Sequence, residues 1–174
     1  MRIIAGTLKG RRLKGPDTDD VRPTSDRLRE TLFNVLGPSI RGTRVLDGFG
    51  GTAAVAIEAI SRGAAHATVF EIAPRALLVA RDNVAAVGLE AVCTLIRADF
   101  LQAKGTASAD LIFLDPPYDI ASLEDVLTVA AGHLAPEGRV VLEHRRSRVS
   151  PDAISGLTRF RVLEAGDSAL SFYR

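Results

Sequence analysis

The sequence predicts an α/β fold: a seven-stranded, mostly parallel, doubly wound sheet with an antiparallel C-terminal strand and a small N-terminal β-hairpin extension. Three observations carry this. From Thr43 to His144, short strand-forming runs alternate with segments of helical period, the order that builds a parallel sheet with helices on both faces. The first run opens into a glycine-rich turn, "DGFGGTA". The last two runs, "LTRFRVLEAG" and "SALSFYR", have no helical pattern between them and are expected to pair antiparallel.

Taken in order, residues 1–16 hold five basic residues and no acid, with "RIIAG" and "RRLKG" separated by glycine-bearing turns; they read as a short hairpin or arm. "GPDTDD" is a loop. In "RPTSDRLRETLFNVLGP", Thr24 or Ser25 can cap a helix, Leu28, Leu32 and Val35 or Leu36 recur at helical spacing, and Gly37-Pro38 ends it. "RVLDG" is a strand, and "TAAVAIEAISRG" is a helix ended by Gly63. "ATVFE" is a strand, and "PRALLVARDNVAAVG" is a helix with Pro74 in its first turn and Gly88 at its end. "VCTLIRAD" and "ADLIFLD" are strands, "SLEDVLTVAAGHL" a helix and "GRVVLEH" a strand. The 174 residues suit one compact domain, divided here into a basic arm over 1–22 and the main domain over 23–174.

Hydrophobic residues make up 47% and charged residues 25% of the chain, and no apolar run approaches the roughly 20 residues of a membrane span. The N-terminus has no secretory h-region, so a cytoplasmic protein without membrane contact is expected. A single cysteine, Cys93, cannot form an internal disulfide and reads as a small buried hydrophobe. The net charge of +1 hides an asymmetry: residues 1–44 carry ten basic residues against five acids, leaving twelve against sixteen for the rest. The N-terminal end thus faces a polyanion more readily than the body does.

At the glycine-rich turn, Gly48 to Ala53 match G-x-G-x-x-A, with Glu71 lying 23 residues after Gly48, so a nicotinamide-dependent oxidoreductase has to be weighed. Against it, Asp47 immediately precedes the turn, and a carboxylate there opposes a pyrophosphate. A cationic ligand suits it. S-adenosylmethionine carries an ammonium and a sulfonium beside an adenosine. Glu71, at the end of the second strand, can accept from both ribose hydroxyls, and Asp99, at the end of the third, from the adenine amino group. Phe100 packs near the ring. Phe49, Gly51, Thr52 and Ile72 complete the expected cofactor residues around Asp47.

The fourth strand ends in "DPPY". An exocyclic amino group is a poor nucleophile because its lone pair is delocalised into the base. Held by the Asp115 carboxylate and the Pro116 carbonyl, its nitrogen pyramidalises and presents that pair to a methyl group. Pro116 and Pro117 fix the carbonyl's direction, and Tyr118 offers a face on which an exposed base stacks, worth roughly 1–3 kcal/mol. Catalysis of this kind is positioning and hydrogen bonding.

"MRIIAGTLKGRRLKGP", "RPTSDRLRETLFNVL", "VLDGFGGTAAVAIEAISRGA", "LIFLDPPY" and "LSFY" together resemble the RsmD-type enzymes among the class I S-adenosylmethionine-dependent methyltransferases, along nearly the whole chain. The resemblance implies a Rossmann-like methyltransferase domain that methylates guanine N2 in 16S rRNA within a partly or fully assembled small subunit, acting as a monomer. D-P-P-Y alone is shared with adenine-N6 and other amino-group methyltransferases, which are the nearest alternative. At the cofactor turn, family members read D-L-F-A-G-[ST]-G-A-L-G-[IL]-E-A. This chain has Gly48, Gly50, Ala53 and Ala56 where they have Leu, Ala, Gly and Gly. A positive φ at position 53 would make Ala costlier than Gly. A third possibility follows from that turn: an RNA-binding assembly factor that has lost its cofactor.

Arg2, Lys9, Arg11, Arg12 and Lys14 are expected phosphate contacts, with Arg22, Arg27 and Arg29 as further RNA-facing candidates. Arg22, Thr24, Asp26 and Arg29 could instead close over the cofactor. Arg145, Arg146 and Arg148 would extend the basic surface. His66, His133 and His144 lie far apart without ligand spacing, so no metal is expected.

Overall fold

A computed structural model describes residues 1–15, 26–104 and 108–174, with the side chain of Asp26 outside the description. The expected helix caps Thr24 and Ser25, and Arg22, lie outside the described residues. Four helices are described: α1 (Asp26–Leu36), α2 (Ala54–Ser61), α3 (Pro74–Val87) and α4 (Leu123–Ala131). The strands are β1 (Arg44–Asp47), β2 (His66–Phe70), β3 (Cys93–Ile96), β4 (Ala109–Leu114), β5 (Leu134–Arg145), β6 (Ala153–Ile154), β7 (Leu157–Ala165) and β8 (Ser168–Tyr173). They form one sheet in the order β3-β2-β1-β4-β5-β8-β7-β6.

β1 to β5 are mutually parallel, and β8 runs antiparallel between β5 and β7. The sequence reading expected seven strands; the eighth is β6. It pairs Ala153 with Thr158 and Ile154 with Leu157 across Ser155 and Gly156, whose φ values of 48° and 84° make a tight hairpin turn. Two residues are too few to show an alternation. Winding proceeds outward from β1 through β2 to β3 on one side and from β4 to β5 on the other. The switch point, where open α/β sheets bind ligands, therefore lies between the carboxyl ends of β1 and β4.

Alternation along the strands separates two cores. Val45, Val69, Phe113 and Val141 bury against α1, α2 and α3, while Leu46, Ile112, Leu114 and Leu142 bury against α4. Pro74 opens α3 and Gly88, at φ 73°, closes it. Gly37-Pro38 does not stop the chain's turning after α1 but tightens it into a 3-10 segment, Gly37–Ile40.

The arm has hairpin pairing: Arg2 bridges Arg12, and Ile3 exchanges backbone bonds with Gly10 and Arg11. It is nevertheless part of the main core, since Ile3 and Leu13 are 1% and 5% exposed in the cluster with α1 and α2. Glu58, fully buried on α2, accepts from Ile4 N (2.8 Å), Ala5 N (3.0 Å) and Arg62 Nε (2.7 Å). Ser61 accepts from Leu8 N and donates to Ala5 O. The approach is so close that a Cβ at Gly6 would stand 1.8 Å from Ser61 O.

Candidate active site

A cleft of about 580 Å³ opens over the carboxyl ends of β2, β1, β4 and β5, within the size range of small-molecule sites. Asp47, Phe49, Gly51, Thr52, Glu71, Ile72, Asp115, Pro116, Pro117, Tyr118, Glu143 and Arg145 all line it.

On the β1 side the turn is held by backbone bonds. Gly48 N donates to Phe113 O and Gly50 N to Phe70 O, so the loop lies flat across the strand ends. Asp47, 1% exposed, accepts from Phe49 N at 3.3 Å. Burial raises its pKa to about 8, and the nearby Asp115 and Glu71 charges push the same way. Such a carboxyl holds its proton until a cation beside it favours the charged form and then ionises, which suits an ammonium-bearing ligand.

Glu71 follows β2 directly. Its Oε2 accepts from Gly51 N and its Oε1 from Ala73 N, both at 2.7 Å. Each oxygen keeps a lone-pair direction for a ligand hydroxyl. Beside it Ile72 is 61% exposed over the cleft, an apolar surface suited to a flat ring. Thr52 O accepts from Asn83 Nδ2, whose amide also bonds Lys14 in the arm. The buried Asn83, 1% exposed, thus joins arm, α3 and turn.

The departures from the family turn have local causes. A Cβ at Gly50 would stand 1.9 Å from Val69 Cγ1, and one at Gly48 would stand 2.8 Å from Leu114 Cδ2 and 3.1 Å from Phe100. The neighbouring core fills the space those side chains would take. Ala53 has φ 62° and ψ 21°, the left-handed conformation in which alanine is strained.

Two expected cofactor residues are placed differently. β3 stops at Ile96, so Asp99 does not end the strand; it caps a 3-10 turn, Phe100–Gln102, by accepting from Leu101 N. "IRAD" reads as strand because its polar–apolar alternation continues past the point where β2 ends and no partner remains. Phe100 is 1% exposed, lying edge-on to Phe49 and Phe70, and it supports the turn from below. Neither residue lines the cleft.

On the β4 side, Asp115 follows Leu114 at the sheet's edge into the cleft, and Pro116 behind it is buried. The loop is held from other strands. Tyr118 Oη lies 2.8 Å from Ser168 Oγ at the start of β8, and the Arg145 guanidinium stands over the Tyr118 ring at 4.7 Å. Arg148 donates to Ile120 O and Ala121 O. Arg145 and Arg148, read from the sequence as basic surface, therefore brace this loop. Arg146 lies 3.8 Å from Glu164.

The expected RNA-facing cations divide. Arg2, Lys9, Arg12 and Arg27 are exposed. Arg11 donates to Ala86 O and Val87 O, satisfying the end of α3, and Lys14 pairs with Asp82 at 2.7 Å. Arg29 is a correction: it is fully buried, with Nη2 donating to Arg2 O, so it supports the arm and is out of a phosphate's reach. Charge alone cannot reveal such internal partners. Glu143, 4% exposed on the cleft wall, was passed over because "GRVVLEH" reads as a buried strand. Its signal was a carboxylate two positions before an arginine on one strand face.

Comparison with known proteins agrees with this geometry. Ribosomal RNA small subunit methyltransferase D of Escherichia coli K12 is 35% identical over 178 residues, covering 100% of this chain and 89% of its own. The Haemophilus influenzae protein of that name is 32% identical over 155 residues, covering 85% and 80%. The solved structure of yhhF from Escherichia coli superposes with a TM-score of 0.86 at 31% identity, covering 99% of this chain and 96% of its own. The family model described as conserved hypothetical protein 95 matches residues 1–174. A mostly parallel sheet wound about the β1–β4 switch, a cleft that joins an acidic cofactor turn to D-P-P-Y, and a match along the whole length agree: the chain belongs to this family, the RsmD-type methyltransferases.

Proposed function

We propose that this protein transfers a methyl group from S-adenosylmethionine to the exocyclic N2 of a guanosine in small-subunit ribosomal RNA. The observation that carries the reading is one cleft shared by two sets of groups: Asp47 and Glu71 at the cofactor turn, and Asp115 to Tyr118 across the switch point. The relatives' names supply the RNA class.

The residues present fit the cofactor. Asp47 offers a buried carboxyl to a cationic group, Glu71 offers acceptors to hydroxyls, and Ile72 offers an apolar surface to a ring. Bound S-adenosylmethionine supplies an electrophilic methyl on a sulfonium. The chain does the rest by positioning. The Asp115 carboxylate and the Pro116 carbonyl accept from the two amino protons, directing the nitrogen's lone pair toward the methyl group. Tyr118, fixed by Ser168 and Arg145, holds the base plane. Once the nitrogen carries the methyl group it is acidic, and Asp115 is placed to receive its proton.

The protein acts in the cytoplasm as a monomer, on a partly or fully assembled subunit. The exposed Arg2, Lys9, Arg12 and Arg27, together with Arg22, contact phosphates and set register without reading sequence. The decisive experiment is methyl transfer from labelled S-adenosylmethionine to small subunits that lack the modification, followed by nucleoside analysis. N2-methylguanosine at one site is expected; N6-methyladenosine, or no transfer at all, would overturn the reading.

A further inference from the structure

The D-P-P-Y chemistry serves any exposed amino group, so something else must choose the base. β4 and β5 pair in parallel register up to Leu114↔Leu142, which sets Asp115 and Glu143 abreast one step further on. Strand alternation then returns Arg145 to the face of Glu143, one level nearer the cleft mouth. Asp115, Glu143 and Arg145 all line the cleft, and the Arg145 guanidinium that covers the Tyr118 ring has to swing off it to the edge of a base stacking there. From the reaction centre outward, the wall presents an acceptor, a second acceptor and then a donor.

Nucleobases differ along the edge that begins at their amino group. Guanine, starting from N2, reads donor, donor at N1–H, acceptor at O6. Adenine, starting from N6, reads donor, acceptor at N1, and a C–H. Cytosine, starting from N4, reads donor, acceptor at N3, acceptor at O2. Only guanine complements the wall at all three positions. Adenine and cytosine would set a ring-nitrogen lone pair against the Glu143 carboxylate.

We propose that Glu143 and Arg145 are the base-selecting residues: Glu143 accepts from guanine N1–H, and Arg145 donates to O6 of the base stacked on Tyr118. This rests on the reading that Asp115 holds the reacting amino group. Selection is strong because a wrong base leaves a buried carboxylate facing an acceptor, and mismatched hydrogen-bonding sites discriminate far better than shape alone.

The test uses reconstituted small subunits whose target guanosine is either natural or replaced by 2,6-diaminopurine. The analogue keeps the reacting amino group but turns N1 into an acceptor and position 6 into a donor. Wild-type protein should favour guanosine by about a hundredfold or more in kcat/KM. In Glu143→Gln the side-chain amide can donate to N1, so the ratio should fall at least tenfold with cofactor affinity unchanged. Arg145→Gln should narrow the ratio further. An unchanged ratio in both variants, or equal loss on both substrates, would overturn the selecting role. Failure of the wild type to methylate guanosine, or full activity of Asp115→Ala, would instead overturn the underlying reading.

Discussion

The two halves of the cleft are built differently. On the cofactor side, acidic side chains close onto backbone within a few residues or across one neighbouring strand: Asp47 to Phe49, and Glu71 to Gly51 and Ala73. On the acceptor side, a proline-stiffened loop is braced by side chains from afar, with Ser168 and Arg148 lying 50 and 28 residues from the positions they hold. The first half is a local device, preorganised as soon as three strands meet. The second exists only when β5 and β8 have paired, so its geometry depends on the whole sheet.

Separating the halves gives the largest expected effect. Asp115→Ala should lower turnover at least about a hundredfold, as loss of a single positioned transition-state contact does. Cofactor affinity measured by calorimetry should stay within a few-fold; a parallel loss of affinity would show that the halves are coupled. Glu71→Gln attacks the other half. The amide has one acceptor oxygen where the carboxylate has two, so it cannot accept from both Gly51 N and Ala73 N, and losing one charge-assisted bond should weaken cofactor binding by about 10- to 100-fold, with turnover at saturating cofactor nearly preserved.

The third prediction concerns protons. Folded Asp47 keeps its proton up to about pH 8, whereas the unfolded residue loses it near 3.8. Across that window the folded state binds more protons, so stability of the cofactor-free protein falls as pH rises and levels off above about 8. Asp47→Asn should flatten that slope in denaturant titrations. Binding of S-adenosylmethionine at pH 7 should release close to one proton, seen as a buffer-dependent calorimetric heat that shrinks above pH 8. The smallest effect belongs to Ala53→Gly. Relief of left-handed strain, about 1–2 kcal/mol, is partly offset by about 0.8 kcal/mol for the lost buried methyl. A Tm rise of no more than about 4 °C is expected by scanning calorimetry.

This contrast also explains what could be read in advance. α3 was legible to the residue because Pro74 and Gly88 act locally, and Asp47, Glu71 and Asp115 were legible because strand ends are marked by the change from apolar runs to acids and glycines. Asp99 was misplaced since the end of β3 depends on where β2 stops pairing. Arg29 looked like part of a polyanion surface because its partner, Arg2 O, is a distant backbone atom, and the contacts of the exposed Arg11 and Lys14 with the end of α3 and Asp82 were hidden for the same reason of distance. Glu143 and Arg145 gained meaning only from the β4–β5 register.

Glu58 carries a lesson about inheritance. Its carboxylate is shut away on α2, and two of its three bonds come from the arm's backbone, at Ile4 and Ala5. Main-chain donors are insensitive to side-chain identity, so the arm's exposed positions are free to drift so long as the spacing to Gly6 and the buried Ile3 and Leu13 are kept. Insertions are a different matter, because one residue added before Gly6 would shift the donors off Glu58 and strand a charge in the core. The arm is therefore open to substitution on its exposed face and closed to changes in length, and a graft of a relative's arm should succeed when the spacing matches and Gly6 and apolar residues at positions 3 and 13 are retained.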